Sequence, residues 1–300
     1  MLLDLNNLSS GQILQIDKIF SESEEDFQTL IENIYKKNDS NTDLIFSNII
    51  SRSNDENKIF YNLCLIELSL NLYKDGKISK IITSNKFQAE ILKQKIKNIK
   101  IEIKPKNKIN FFNKILKIVK NFHYIWKLRS FRDIKRKDKI KNLKKITLIE
   151  LFFVPNMFLN NVYKDRYYGD LSLETNSNLK KNIFFFPIFF QNALKKKFFK
   201  LAEKQVNLIL PSDYLKLKDY FNSIFYFLRV KRMNINNLKF KGLIVDDLVK
   251  AILNDDKFNQ SSLIALLNFY CFKRMKEENL DLSLVIDWYE NQIVDKGLNY

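Results

Sequence analysis

Residues 78–103 read ISKIITSNKFQAEILKQKIKNIKIEI, and their pattern decides the fold class. The β-branched run at 78–83 predicts a short strand. Ser84 is placed to cap a helix running to about Ile96, and 99–103 predicts a second short strand. Strand, helix, strand at this spacing is the repeating unit of a parallel α/β fold.

The same alternation extends in both directions. Upstream, Leu63, Ile66, Leu70 and Tyr73 recur at three- and four-residue steps, predicting a helix over 56–74 that Gly76 stops. Ser21 to Glu24 offer N-cap candidates for a helix to Tyr35, where Lys36 and Lys37 suit its C-terminal dipole. Downstream, strands are expected at 146–154, 183–187, 206–210 and 282–286. Helices are expected at 191–204, from Pro211-Ser212 to about Leu228, at 243–253, at 260–278, and in a last run to Tyr300. There is neither a tandem repeat nor a Ser/Gly-rich linker. The expectation is one α/β body over 1–300, a Rossmann-like parallel sheet flanked by helices, with a basic helical insertion at 104–145. Because the chain stops inside a helical run, it is expected to be a piece of a longer protein.

Composition narrows the chemistry. Hydrophobic residues make up 46% and charged residues 28%, a balance that buries a core. The longest apolar run, 183–190, contains Pro187 and falls far short of the roughly 20 residues of a spanning helix. The N-terminus has no basic region ahead of an apolar stretch, so no signal peptide is read and cytoplasmic residence is expected. Cys64 and Cys271 lie far apart in apolar surroundings and read as buried free thiols. His123 is the single histidine, which leaves too few ligands for a zinc site. Five glycines, widely spaced, exclude both a P-loop and a GxGxxG loop. No Asp-x-Asp stands in a strand context, so a metal-independent mechanism without a cofactor is expected. The adjacent pairs Asp246-Asp247 and Asp255-Asp256 read as solvated helix ends.

The net charge of +17 is concentrated. From Lys104 to Lys145 there are sixteen Lys and Arg against Asp133 and Asp138, a local excess of +14. Within that segment Phe112, Ile115, Leu116, Val119, Phe122 and Trp126 repeat at helical spacing, with Lys114, Lys117, Lys120 and Lys127 among or opposite them. Such a basic amphipathic helix suits an anionic membrane surface. The alternatives are a helix buried on one face and, less favoured, a nucleic-acid contact, for which the usual base-reading motifs are absent.

Two segments combine residue types that suit ligand recognition. Tyr163 to Asp170 brings Asp165, Arg166, Tyr167 and Tyr168 together with Gly169. Tyrosine faces pack on sugar rings, while Asp and Arg bond hydroxyls and anions. Asp287-Trp288-Tyr289-Glu290-Asn291-Gln292 follows a strand, an address where parallel sheets gather ligands. Asp287 and Glu290 share one side of a starting helix and could accept a hydroxyl proton. They would serve equally as acids at a helix N-terminus.

The run from Asp287 to Lys296 (DWYENQIVDK) resembles a motif of bacterial surface-carbohydrate biosynthesis proteins of glycosyltransferase type, those of O-antigen or capsule. The Asp165-Arg166-Tyr167-Tyr168 stretch, with Phe184-Phe185-Phe186-Pro187 after it, is similar to the same group. The likeness covers about 57–300. It implies a GT-B architecture, two Rossmann-like domains across a cleft, of which this chain would supply the N-terminal, acceptor side. It further implies sugar transfer from a nucleotide-sugar to a glycan or lipid-linked acceptor, at the inner face of the membrane. Glu290 or Asp287 would be base or orienting acid. Asp165, Arg166, Tyr167, Tyr168, Asn291 and Lys296 would bind substrate. The alternative is a non-catalytic protein that docks to membrane or nucleic acid through its basic helix.

Overall fold

A computed structural model describes residues 1–39, 41–47, 49, 58–104, 111–153, 157–159, 162–163, 181–189, 200, 202–256, 258–287 and 293–299. Its elements begin with β1 (Leu2–Asp4), α1 (Ser10–Glu22), α2 (Glu24–Lys37), α3 (Thr42–Ile45), α4 (Lys58–Lys74), β2 (Lys80–Thr83), α5 (Lys86–Lys95) and β3 (Lys100–Ile103). Then come α6 (Phe111–Arg129), α7 (Ile134–Lys141), β4 (Ile146–Phe153), β5 (Phe158–Leu159), β6 (Val162–Tyr163) and β7 (Ile183–Phe189). The remainder comprises α8 (Pro211–Tyr214), α9 (Leu217–Ile224), α10 (Tyr226–Arg229), β8 (Lys239–Phe240), β9 (Leu243–Ile244), α11 (Asp246–Asp256), α12 (Gln260–Glu277), β10 (Leu282–Ile286) and α13 (Ile293–Asn299). The protein is mixed α/β, with parallel sheets flanked by helices. Two compact units divide it, Met1–Leu116 with Tyr226–Ser262, and Lys117–Phe225 with Leu263–Tyr300.

In the first unit β1, β2 and β3 form a parallel sheet in that order. The helix expected at 56–74 is α4, but its apolar residues cover more than one stripe. Phe60, Leu63, Cys64, Leu65, Ile66, Leu68 and Leu72 are all buried, as in a helix surrounded by other elements. Gly76 does stop it. At φ +67 it allows its own N–H to donate to Tyr73 O and the Lys77 N–H to donate to Leu72 O, which satisfies two carbonyls at the helix end. Ser84 is not the cap of α5. Asn85 is, its Oδ1 accepting from the Phe87 and Gln88 amides.

The helix expected at 243–253 starts late. Lys241 and Gly242 both have positive φ and close a two-residue turn between β8 and β9, the geometry that matches strand twist. The helix α11 then begins at Asp246. The Asp246 carboxylate is not simply solvated, because it accepts from the Asn237 and Leu238 amides at 2.8 and 2.6 Å. Elsewhere in this unit Arg229 donates twice to Asp43, at 2.6 and 2.8 Å. Asn38 and Asn234 exchange hydrogen bonds at 2.8 and 3.0 Å. These pairs tie the 226–262 segment to α2 and α3.

The second unit is built on the parallel sheet β10-β4-β7. The strand expected at 206–210 is reduced to one parallel bridge, Leu208 with Phe185. The core includes Leu148, Phe186, Ile209, Tyr214, Leu267 and Met275. The helix expected from Pro211 to Leu228 is broken into three. Leu215 is extended at ψ 134, and Asp219 restarts the helix by accepting from the Lys216 amide at 2.8 Å. Two acids near these breaks hold arginines, Arg136 half-buried and Arg274 buried. Asp213 accepts from Arg136 at 2.6 and 2.8 Å, and Asp219 accepts from Arg274 at 2.5 and 2.9 Å.

Helix α13 lies directly on α12. A Cβ placed at Gly297 would sit 2.3 Å from Ala265 O and 2.9 Å from two further backbone atoms of Ala265. Backbone cannot yield as a side-chain tip can, so Gly297→Ala is expected to destabilise the unit by about 1–3 kcal/mol. Thermal melting of the variant beside the parent checks it, and an unchanged midpoint would contradict the close approach.

Candidate functional site

The topology of the second unit marks one place for a ligand. From β4 the chain moves to β7 and on to the Leu208 bridge, then returns to put β10 on the other side of β4. Strand order therefore reverses between β4 and β10. In open parallel sheets the crevice at the carboxyl ends of the strands flanking such a reversal is the usual binding position. The chain leaves β4 at Phe153 and β10 at Ile286. Asp287, half-buried, stands immediately after β10.

Beside it is an acid that sequence reasoning missed. Register along β10 and β4 ends with the pair Ile286 and Ile149, so one residue further along both chains stand Asp287 and Glu150. Neighbouring strands run about 4.8 Å apart, so the two acids stand in neighbouring register positions where β10 ends, three residues before β4 ends at Phe153. Glu150 is only 1% exposed and pairs on its other side with Phe186 of β7. A carboxylate is rarely taken that far out of water, because its desolvation costs several kcal/mol. The signal in the sequence was a single acid in the otherwise near-apolar run ITLIELFF.

The other expected site residues are distributed as follows. Lys296 is buried in α13 beside buried Asp295, and Gly297 brings that helix onto α12. Glu290, Asn291, Asp165, Arg166, Tyr167 and Tyr168 lie outside the described residues. On α6, Lys117, Lys120 and Trp126 are exposed, and Lys114 and Lys127 are half-buried. The apolar stripe read on α6 faces away from the core, unlike the alternative of a helix buried on that face. Tyr124 and Leu128 enter the core instead, leaving Val119, Phe122 and Trp126 in water.

Two other features of the molecule are structural. A cavity of about 670 Å³ lies against α7 and the amino end of β7, lined in part by Lys135, Arg136, Lys139 and Phe184. Its arginine is committed to Asp213, Glu203 and Phe131 O, and it sits at the opposite end of β7 from the strand termini. In the first unit, the carboxyl edge of β2 is occupied by its own hydrogen bonds. Thr83 donates to Gln88 at 2.7 Å, and Asn62 accepts from Asn85 and from Gln88 at 3.1 Å.

Both cysteines are buried and free. Burial pushes the Cys64 thiol up to about 12. Cys271 is raised by burial and then by Asp213, Asp219 and Glu278. Neither thiol is therefore expected to react with a thiol-specific disulfide reagent in the folded chain, while both react in guanidinium. Rapid labelling of the native protein would overturn that.

Among the described residues, no helix is long and apolar enough to cross a membrane, and no cluster of three or more His, Cys, Asp or Glu could hold a metal ion. No protein-family model, curated protein or solved structure matches the chain.

Proposed function

We propose that the protein is a sugar transferase of surface-polysaccharide type, moving a sugar from a nucleotide-sugar to a glycan or lipid-linked acceptor. The observation that carries this reading is that Asp287 and Glu150 occupy neighbouring register positions at the end of β10, where sheet order reverses. The resemblance of 287–296 to glycosyltransferase-type proteins supports it from the sequence side. In the GT-B plan that the resemblance implies, this chain is the N-terminal, acceptor side and the 104–145 segment is an insertion in it.

In this reading Asp287 is the base. It takes the proton of an acceptor hydroxyl as that oxygen bonds to the anomeric carbon, and the bond to the donor phosphate breaks with its electron pair leaving on phosphate. Glu150 positions Asp287. Glu290, Asn291 and Lys296 follow in the same segment and are assigned, with Asp165, Arg166, Tyr167 and Tyr168, to donor and acceptor contacts. The chemistry uses carboxylates and cations of this chain and invokes no metal.

The experiment is titration calorimetry of the 300-residue chain with uridine, guanosine and thymidine diphosphate sugars and with cytidine monophosphate sugars. Binding of one class is expected, and Asp287→Asn, which lacks only the base, should retain it. Absence of binding to every class would remove the proposal.

A further inference from the structure

Helix α6 has two apolar faces, and the fold uses one. Tyr124 and Leu128 are buried in the core of the second unit, and Asn121, a turn earlier, is buried as well. On a helix of 3.6 residues per turn these positions project roughly 150° away from Val119, Phe122 and Trp126. Those three are 55%, 48% and 68% exposed, and Ile115, a turn before them on the same side, is 41% exposed. The stripe is about 17 Å long. A single exposed apolar side chain needs no account, but four in register along one helix do.

The charges around the stripe have one sign. Lys120 and Lys127 flank it on one side and Arg129 on the other, while Lys117, also exposed, lies on the opposite side of the helix. No Asp or Glu occurs between Glu102 and Asp133. Among the described residues the nearby ion pairs, Arg136 with Asp213 and Glu203 and Lys137 with Glu278, belong to α7 and leave α6 uncompensated.

We propose that this face of α6 lies on an anionic lipid surface. The stripe enters the boundary between headgroups and acyl chains, Trp126 sits at the level of the headgroups, and the lysines meet lipid phosphates. A nucleic acid would satisfy the cations while leaving Val119 and Phe122 in water, so the apolar half of the pattern favours lipid. The inference does not depend on the sugar-transfer reading, since a surface-bound protein of any activity would carry the same face.

The test uses the full chain with Trp288→Phe, which leaves Trp126 as its single tryptophan. Vesicles of phosphatidylcholine are compared with vesicles containing phosphatidylglycerol, across a salt series. Expected are co-sedimentation and a blue shift of Trp126 emission with the anionic vesicles alone, both fading as salt rises. Lys120→Gln, Lys127→Gln and Arg129→Gln together should weaken partitioning by about 100-fold. Val119→Ser with Phe122→Ser should abolish the blue shift. All five side chains avoid the core, so each variant should keep the parent's circular dichroism. Unshifted Trp126 emission, equal binding to both vesicle types, or capture by a short RNA duplex with no binding to anionic vesicles would overturn the proposal.

Discussion

Asp287→Asn is expected to lower sugar transfer by about 100- to 10,000-fold, the range for removing a general base, with donor affinity nearly unchanged. Asparagine keeps the size of the side chain but cannot accept the hydroxyl proton. Glu150→Gln should act differently, because a residue 1% exposed works through its neighbour. It is expected to reduce kcat and leave KM near the parent value. A loss confined to stability, with normal turnover in the folded fraction, would make Glu150 a structural acid. Initial rates with a saturating donor, measured alongside urea unfolding of each variant, separate these outcomes.

The second large effect concerns the buried pair that joins α9 to α12. Asp219 is fully buried, accepts two hydrogen bonds from Arg274 and one from the Lys216 amide, and Arg274 also reaches Glu277. Asp219→Asn leaves a buried guanidinium without its main counter-charge and should cost about 3–5 kcal/mol. The double variant Asp219→Leu with Arg274→Met should cost less than Asp219→Asn, since replacing both partners removes the desolvation that the lone charge suffers. Burial alone would raise the Asp219 carboxyl, but Arg274 and the Lys216 amide outweigh it and hold it below the ordinary range. A depressed folded-state pKa gives stability that is present above the unfolded value of about 3.9 and lost as pH falls through the folded value. The gap between parent and Asp219→Asn should therefore be full near neutrality and close in strong acid. Urea unfolding followed by circular dichroism across pH measures the gap, and a gap that persists in strong acid would contradict the assignment.

The strands could be read because their β-branched and aromatic runs are short and bounded. Those at 80–83, 100–103, 146–153, 183–189 and 282–286 all stand within a few residues of expectation. Failures came where a local pattern had two solutions. Leu243 and Val245 to Leu253 repeat as a helix does, yet Lys241-Gly242 closes a hairpin first. The capping box of α1, Ser9 with Gln12, was written in the sequence, yet no helix was read ahead of Ser21. Helix α6 illustrates a deeper limit. Its periodicity is plain, but which of two apolar faces docks depends on the sheet beneath it. Glu150 shows the same limit for the site. A lone acid in a strand acquires meaning only when β10, more than 130 residues later in the chain, pairs beside it.

Hydrogen exchange of the 300-residue chain, with and without the nucleotide-sugar that binds in calorimetry, tests the location of the site most directly. Protection concentrated at the carboxyl ends of β4 and β10, around Leu151 to Phe153 and Ile286 to Asp287, is the predicted result. Protection confined to the α7 cavity or to the first unit's sheet, with those strand ends unchanged, would contradict it.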